Sequence, residues 1–158
     1  MGALLVAILA FVAMEPITYA VHRWLMHGPG RAIHVSHHRP RAGRFEANDL
    51  YPVAFAAAVG AGLVVGFNVD GWGVLVPIGV GVTCYGAVYA AVHDGHIHGR
   101  LAVLARRRGR GWARLAEAHR FHHRYGGEPY GMLVPVVPAS LRARAATSSR
   151  DRALGGPS

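Results

Sequence analysis

Three long apolar runs alternate along this chain with segments rich in histidine and arginine. The runs cover residues 2–21, about 51–69 and about 73–92, and none contains Lys or Arg. Each has the length, about 20 residues, that an α-helix needs to cross the hydrocarbon core of a bilayer. Only Asn68-Val69-Asp70-Gly71-Trp72-Gly73 separates the second run from the third, which predicts a tight helical hairpin. The pattern as a whole predicts an all-α, integral membrane helical bundle. The first run has no basic residues ahead of it and leads into Tyr19-Ala20-Val21-His22 without a convincing cleavage site, so it reads as a span rather than a signal peptide. Residues 130–141 are apolar but short and broken by Pro135 and Pro138. They are expected at the interface or as a re-entrant segment, with a fourth span as the alternative, so the bundle has three or four transmembrane helices. From Arg142 onward the Ala/Arg/Ser/Gly composition predicts a disordered tail over residues 142–158, leaving residues 1–141 as a single membrane-embedded domain.

Composition and charge sharpen this picture. Apolar residues make up 52% of the 158 and charged residues 16%, against about 25% charged in a soluble domain. A net charge of +9 and a pI near 11.0 would suit a nucleic-acid partner, but their distribution argues against one. All 17 basic residues are Arg; five fall between Arg23 and Arg44 and twelve between Arg100 and Arg152. Excess basic charge marks the cytoplasmic side of a membrane protein. The N-terminus is then outside, residues 22–50 inside, the hairpin passes out and back, and residues 93–158 are inside. Over residues 100–116, Arg106, Arg107, Arg108, Arg110 and Arg114 mix with Leu101, Val103, Leu104, Trp112 and Leu115, a mixture suited to membrane lipid at the headgroup level. The one cysteine, Cys84, excludes an internal disulfide and a Cys-based metal cage.

The 11 histidines fall in three windows, 22–38, 93–98 and 119–123. Two spacings each occur twice: HxxxxH at His22/His27 and His93/His98, and HxxHH at His34/His37/His38 and His119/His122/His123. Positions i, i+3 and i+4 share a helix face, so HxxHH gathers three imidazoles into a small volume. HxxxxH is harder to place, because i and i+5 are about 140° apart on a regular α-helix. Either the turn is frayed or bent, or the two members serve different metals. By the arginine count all three windows lie at the cytoplasmic face. Ten imidazoles are too many for a four-ligand structural zinc site and about right for two ions. The Glu and Glu-x-x-His pattern of soluble di-iron bundles is missing. An all-His pair at a membrane face points to O2 activation against a C–H bond of a lipophilic substrate, and to iron, since zinc has no redox chemistry.

Several ordered motifs over roughly residues 14–125 carry a resemblance: Met14-Glu15, His22 through Met26-His27-Gly28, His34-x-x-His37-His38-x-Pro40, Gly43-Arg44-Phe45-Glu46-x-Asn48-Asp49-Leu50-Tyr51, Tyr85-Gly86, His93-Asp94-Gly95-x-x-His98 and Ala118-His119-Arg120-x-His122-His123. The chain resembles the bacterial β-carotene 3-hydroxylases of the fatty acid hydroxylase superfamily. The resemblance implies two non-haem iron ions, with zinc able to substitute in an expressed form. It implies O2, a reduced ferredoxin or similar donor, and a carotenoid drawn from the bilayer of a bacterial inner membrane. The expected reaction converts β-carotene through β-cryptoxanthin to zeaxanthin. A sterol or fatty acyl hydroxylase of the same superfamily, or a non-catalytic membrane metal binder, is the competing reading.

The expected metal ligands are His22, His27, His34, His37, His38, His93, His98, His119, His122 and His123, undivided between the two ions. Glu15 and Asp94 are the expected catalytic acids, as outer partners of the metal ligands: Glu15 because it is ionisable inside a span, Asp94 because ligating imidazoles usually donate their other N–H to an acceptor. Glu46, Asp49 and Glu117 are further candidates for that outer role. His96 stands where the family usually has an aliphatic residue and is an extra ligand, an outer partner or a bystander. The segment after His123, including Pro129-Tyr130-Gly131, diverges from the family.

Overall fold

The apolar runs form helices because, inside a bilayer, every backbone polar group must be satisfied within its own segment. A computed structural model describes residues 2–39, 43 and 45–153. Pro40 and Arg44 of the motifs above, and residues 154–158 of the expected tail, lie outside the described residues. Helix α1 (Gly2–Ala20) continues into a π-helical turn, Val21–Met26. A single helical turn, α2 (Arg31–His34), and a 3₁₀ turn (Ala47–Asp49) lead to α3 (Leu50–Asn68). Helix α4 (Leu75–Ala90) ends in a second π turn, Ala91–Ile97. The short α5 (Ala102–Ala105), then α6 (Arg110–Tyr125) and α7 (Ala139–Ala153) complete the chain. There is no strand among the described residues.

Three continuous helices, Gly2–Met26, Ala47–Asn68 and Leu75–Ile97, are long and apolar enough to cross a membrane. Residues 126–138 form a non-helical strap rather than a fourth span, as expected where Pro129, Pro135 and Pro138 interrupt the backbone ladder. Where a disordered tail is expected, α7 runs to Ala153; its alanines and arginines are strong helix formers.

Helices α1 and α4 run parallel and make the tightest contact. A Cβ on Gly81 would lie 2.2 Å from the Ala7 carbonyl oxygen, so only glycine lets the backbones approach this closely. Further along, Phe11 meets Tyr85 edge-on at 5.6 Å. Helix α3 pairs antiparallel with α4 and has no buried residue, as suits a helix whose remaining surface faces lipid. This arrangement brings both π turns and the start of α3 to one end of the bundle, and α2 and α6 pack there.

Candidate metal centre

Each HxxxxH motif spans one i→i+5 backbone bond. The His27 N–H donates to the His22 carbonyl (3.1 Å) and the His98 N–H to the His93 carbonyl (2.9 Å). The wider π turn cancels most of the α-helical offset, so both members of each pair face the same volume. This answers the question left by the spacing: a modified turn, with the two members serving one group. π-bulges of this kind are frequent at functional sites.

The imidazoles form two groups, His22, His27, His34, His38 and His122 (group one) and His37, His93, His98 and His119 (group two), each with ligand nitrogens within 4.8 Å of one another. Each HxxHH motif straddles the groups. In the first, α2 ends at His34 and the next residues form i→i+3 turns (His37 N–H to the His34 carbonyl, 2.9 Å), which carry His37 to group two. The second lies on regular α6, sending His119 to group two and His122 to group one. His123 stands between them, its ring centroid 4.5 Å from His38 and 4.4 Å from His119, with His37 at 4.7 Å. Its buried Nε2 has no hydrogen-bond partner among the described residues, leaving a lone donor atom beside group two.

The second nitrogen of most rings is committed elsewhere. His22 Nδ1–H donates to the Tyr130 carbonyl (3.0 Å) and His122 Nδ1–H to the Gly127 carbonyl (2.6 Å). His34 donates to Asn48 Oδ1 (2.7 Å), His37 to Glu46 Oε1 (3.1 Å) and His93 to Asp94 Oδ1 (3.0 Å). With Nδ1 protonated, Nε2 carries a bare lone pair. Yet His22 and His34 present Nε2 atoms 3.1 Å apart, and His37 and His93 present theirs 3.0 Å apart. Two lone pairs at that distance repel unless a cation lies between them. Nitrogens about 2.1 Å from one ion and about 90–110° apart around it are about 3.0–3.4 Å from each other, so the spacing is that of a coordination polyhedron. Protons are poor substitutes here. Burial, reinforced by neighbouring imidazoles, pushes His34 down to about 4, His122 to about 3 and His123 to about 2, and holds His37 and His119 well below their ordinary value. Neutral imidazoles are the form that binds metal.

Among the acids, Asp94 and Glu46 hold imidazoles directly, whereas Asp49 acts through Arg100 and Glu117 is exposed. Arg100 ties the cluster together, donating to Glu46 (2.7 Å) and Asp49 (2.9 Å) and lying 3.8 Å from Asp94. Glu15 makes no hydrogen bond to an imidazole among the described residues. It accepts from Tyr85 Oη–H (2.6 Å) and from the backbone N–H groups of Met132, Leu133 and Val134 in the strap. His96 belongs to neither group: its Nδ1–H donates to the Leu104 carbonyl (2.9 Å) and its ring lies 4.8 Å from Trp112, holding α5 in place. Asn48, Arg100 and the Gly127 and Tyr130 carbonyls were not singled out by spacing. Asn48 had a signal, its place beside Glu46 and Asp49; a backbone carbonyl has none.

A cavity of about 510 Å³, lined by Arg23, Trp24, Arg31 and Tyr130 among others, opens onto His27, His34 and His38 of group one. A smaller one of about 170 Å³, edged by Arg39, Glu46 and Arg100, opens onto His37, His98 and His123.

The fatty acid hydroxylase family profile matches residues 7–138. A beta-carotene hydroxylase of Pseudescherichia vulneris is 43% identical over 143 residues, covering 88% of this chain and 80% of that protein. One from Pantoea ananas is 41% identical over 163 residues, covering 96% of this chain and 91% of its own length. The chloroplastic beta-carotene hydroxylase 1 of Capsicum annuum is 38% identical over 79% of this chain, which spans 41% of the plant protein. No solved structure matches the chain.

Proposed function

Because the chain belongs to the fatty acid hydroxylase family, we propose that it is a membrane-bound β-carotene 3-hydroxylase with a non-haem di-iron site. The observation that carries the metal site is the pair of abutting imidazole groups with facing, bare Nε2 atoms. The substrate reading rests on the relatives named beta-carotene hydroxylase. In this reading His22, His27, His34, His38 and His122 hold one ion, and His37, His93, His98 and His119 the other, with His123 completing the second. An iron pair held there would supply activation of O2, by which one oxygen atom would enter the C3–H bond of a β-ionone ring and the other would leave as water, with two electrons and two protons consumed.

The chain's own residues prepare that chemistry. Asn48, Glu46, Asp94 and the Tyr130 and Gly127 carbonyls fix five rings with Nε2 toward the ions. Such outer contacts set ring orientation and raise ligand basicity. The apolar spans admit a carotenoid from the bilayer to the helix ends where the site lies. The exposed Arg106, Arg107, Arg108, Arg110 and Arg114 offer an acidic ferredoxin a docking surface, and by the arginine distribution this face is cytoplasmic, in a bacterial inner membrane. Co-expression in a β-carotene-producing bacterium tests the reading. β-Cryptoxanthin and zeaxanthin are expected with the wild-type chain and neither with His37→Ala. A chain that accumulates stably yet yields no hydroxylated carotenoid would refute the substrate, and a sterol or acyl product would replace it.

A further inference from the structure

Glu15 sits inside a membrane span, and its carboxylate is occupied by the strap rather than by the site. Oε1 accepts the consecutive N–H groups of Met132 (2.9 Å), Leu133 (3.0 Å) and Val134 (2.9 Å), while Oε2 accepts Tyr85 Oη–H (2.6 Å). Successive N–H groups converging on one oxygen form an anion-binding nest. The need runs both ways: non-helical backbone beside a membrane helix must find partners for its N–H groups, and a carboxylate there needs donors. Gly131 is part of the fit, since a Cβ on it would stand 3.1 Å from Glu15 Oε1. Just upstream the strap carries the Gly127 and Tyr130 carbonyls, which accept the Nδ1–H of His122 and His22. Both rings belong to group one. In group two, the outer acceptors of His37 and His93 are Glu46 and Asp94, which lie outside the strap.

We infer that Glu15 is a positioning residue for group one alone: by anchoring residues 132–134 it places the two strap carbonyls that orient His22 and His122. This rests on the metal-site reading above. The test is Zn(II) binding to the full chain in detergent, measured by metal-to-protein ratio and chelator competition, for wild type, Glu15→Ala, Glu15→Gln, His37→Ala and the Glu15→Ala/His37→Ala pair. Wild type should take two equivalents. Glu15→Ala should keep one tight site and weaken the other about 10–100-fold, the usual effect of losing outer contacts. Glu15→Gln, which retains one acceptor oxygen, should lose less. His37→Ala should keep the group one site, and the double variant should have no tight site. Hydrogen exchange on the metal-free chain should speed up over residues 127–134 in Glu15→Ala and stay unchanged around Glu46 and Asn48. Two tight sites in Glu15→Ala, or equal weakening of both, would overturn the inference. Should Glu15→Ala fail to fold, Glu15→Gln is read by the same outcomes, with wild-type affinity at both sites counting against it. A wild-type chain that takes up no metal would overturn the premise and the inference with it.

Discussion

Replacing Glu46 by alanine should damage group two and spare group one. Glu46 Oε1 accepts from His37 Nδ1 at 3.1 Å and from Arg100 at 2.7 Å, and His37 is only 5% exposed. Without the carboxylate, the His37 N–H becomes a buried, unsatisfied donor, which costs about 1–3 kcal/mol. The ring can escape that cost by moving its proton to Nε2, but that removes the atom facing His93. Arg100 keeps Asp49 as a partner, so the segment stays in place while one of the carboxylates that offset positive charge beside the site is lost. By either route, metal affinity at group two should fall about 10–100-fold, equivalent to about 1.4–2.8 kcal/mol, matching the cost of the orphaned donor. Glu46→Gln retains an acceptor oxygen and should lose less than about tenfold. Zn(II) competition against a chromophoric chelator resolves the two sites. Two unaltered sites in Glu46→Ala, or a greater loss at group one, would refute the reasoning.

Acid should destabilise the metal-free chain. Burial lowers His34 to about 4, His122 to about 3 and His123 to about 2, so as pH falls the unfolded chain binds protons first. Stability is complete above about pH 6.5 and is lost progressively toward pH 4 and below; a thermal midpoint in chelator that does not move between about pH 7.5 and 4.5 would contradict this. His96→Ala should lower unfolding stability by about 1 kcal/mol through the lost Leu104 contact and leave both metal equivalents bound; loss of one would make His96 a ligand. Zinc-loaded protein should match the iron form in stoichiometry and yield no hydroxylated product, because zinc has no redox chemistry, and turnover by a rigorously iron-free sample would rule out iron as the metal.

The three spans are legible in sequence because uninterrupted apolar runs have few other uses. The histidine windows are legible because two spacings recur. The sorting of rings into groups is hidden for a geometric reason. HxxxxH on an α-helix separates its rings, and only the i→i+5 bonds at His27 and His98 reunite them. HxxHH predicts a shared face, but the chain leaves α2 after His34, and even on regular α6 adjacent rings lean to different neighbours. Glu15 is conspicuous as a charge in a span, yet its partners are the Tyr85 hydroxyl and backbone N–H groups more than a hundred residues away, which no spacing encodes. His96 looks like its neighbours in sequence, and its Leu104 and Trp112 contacts separate it from them.

The parallel contact of α1 with α4 has a further consequence. One pocket takes His22 and His27 from the end of α1, and the other takes His93 and His98 from the end of α4. The seam between these two helices, tight where Gly81 meets Ala7, is therefore a caliper that acts on the gap between the pockets together with the two HxxHH motifs that bridge them. A side chain added at Gly81, about 18 Å along α4 from His93, would reset that gap without altering a single donor atom.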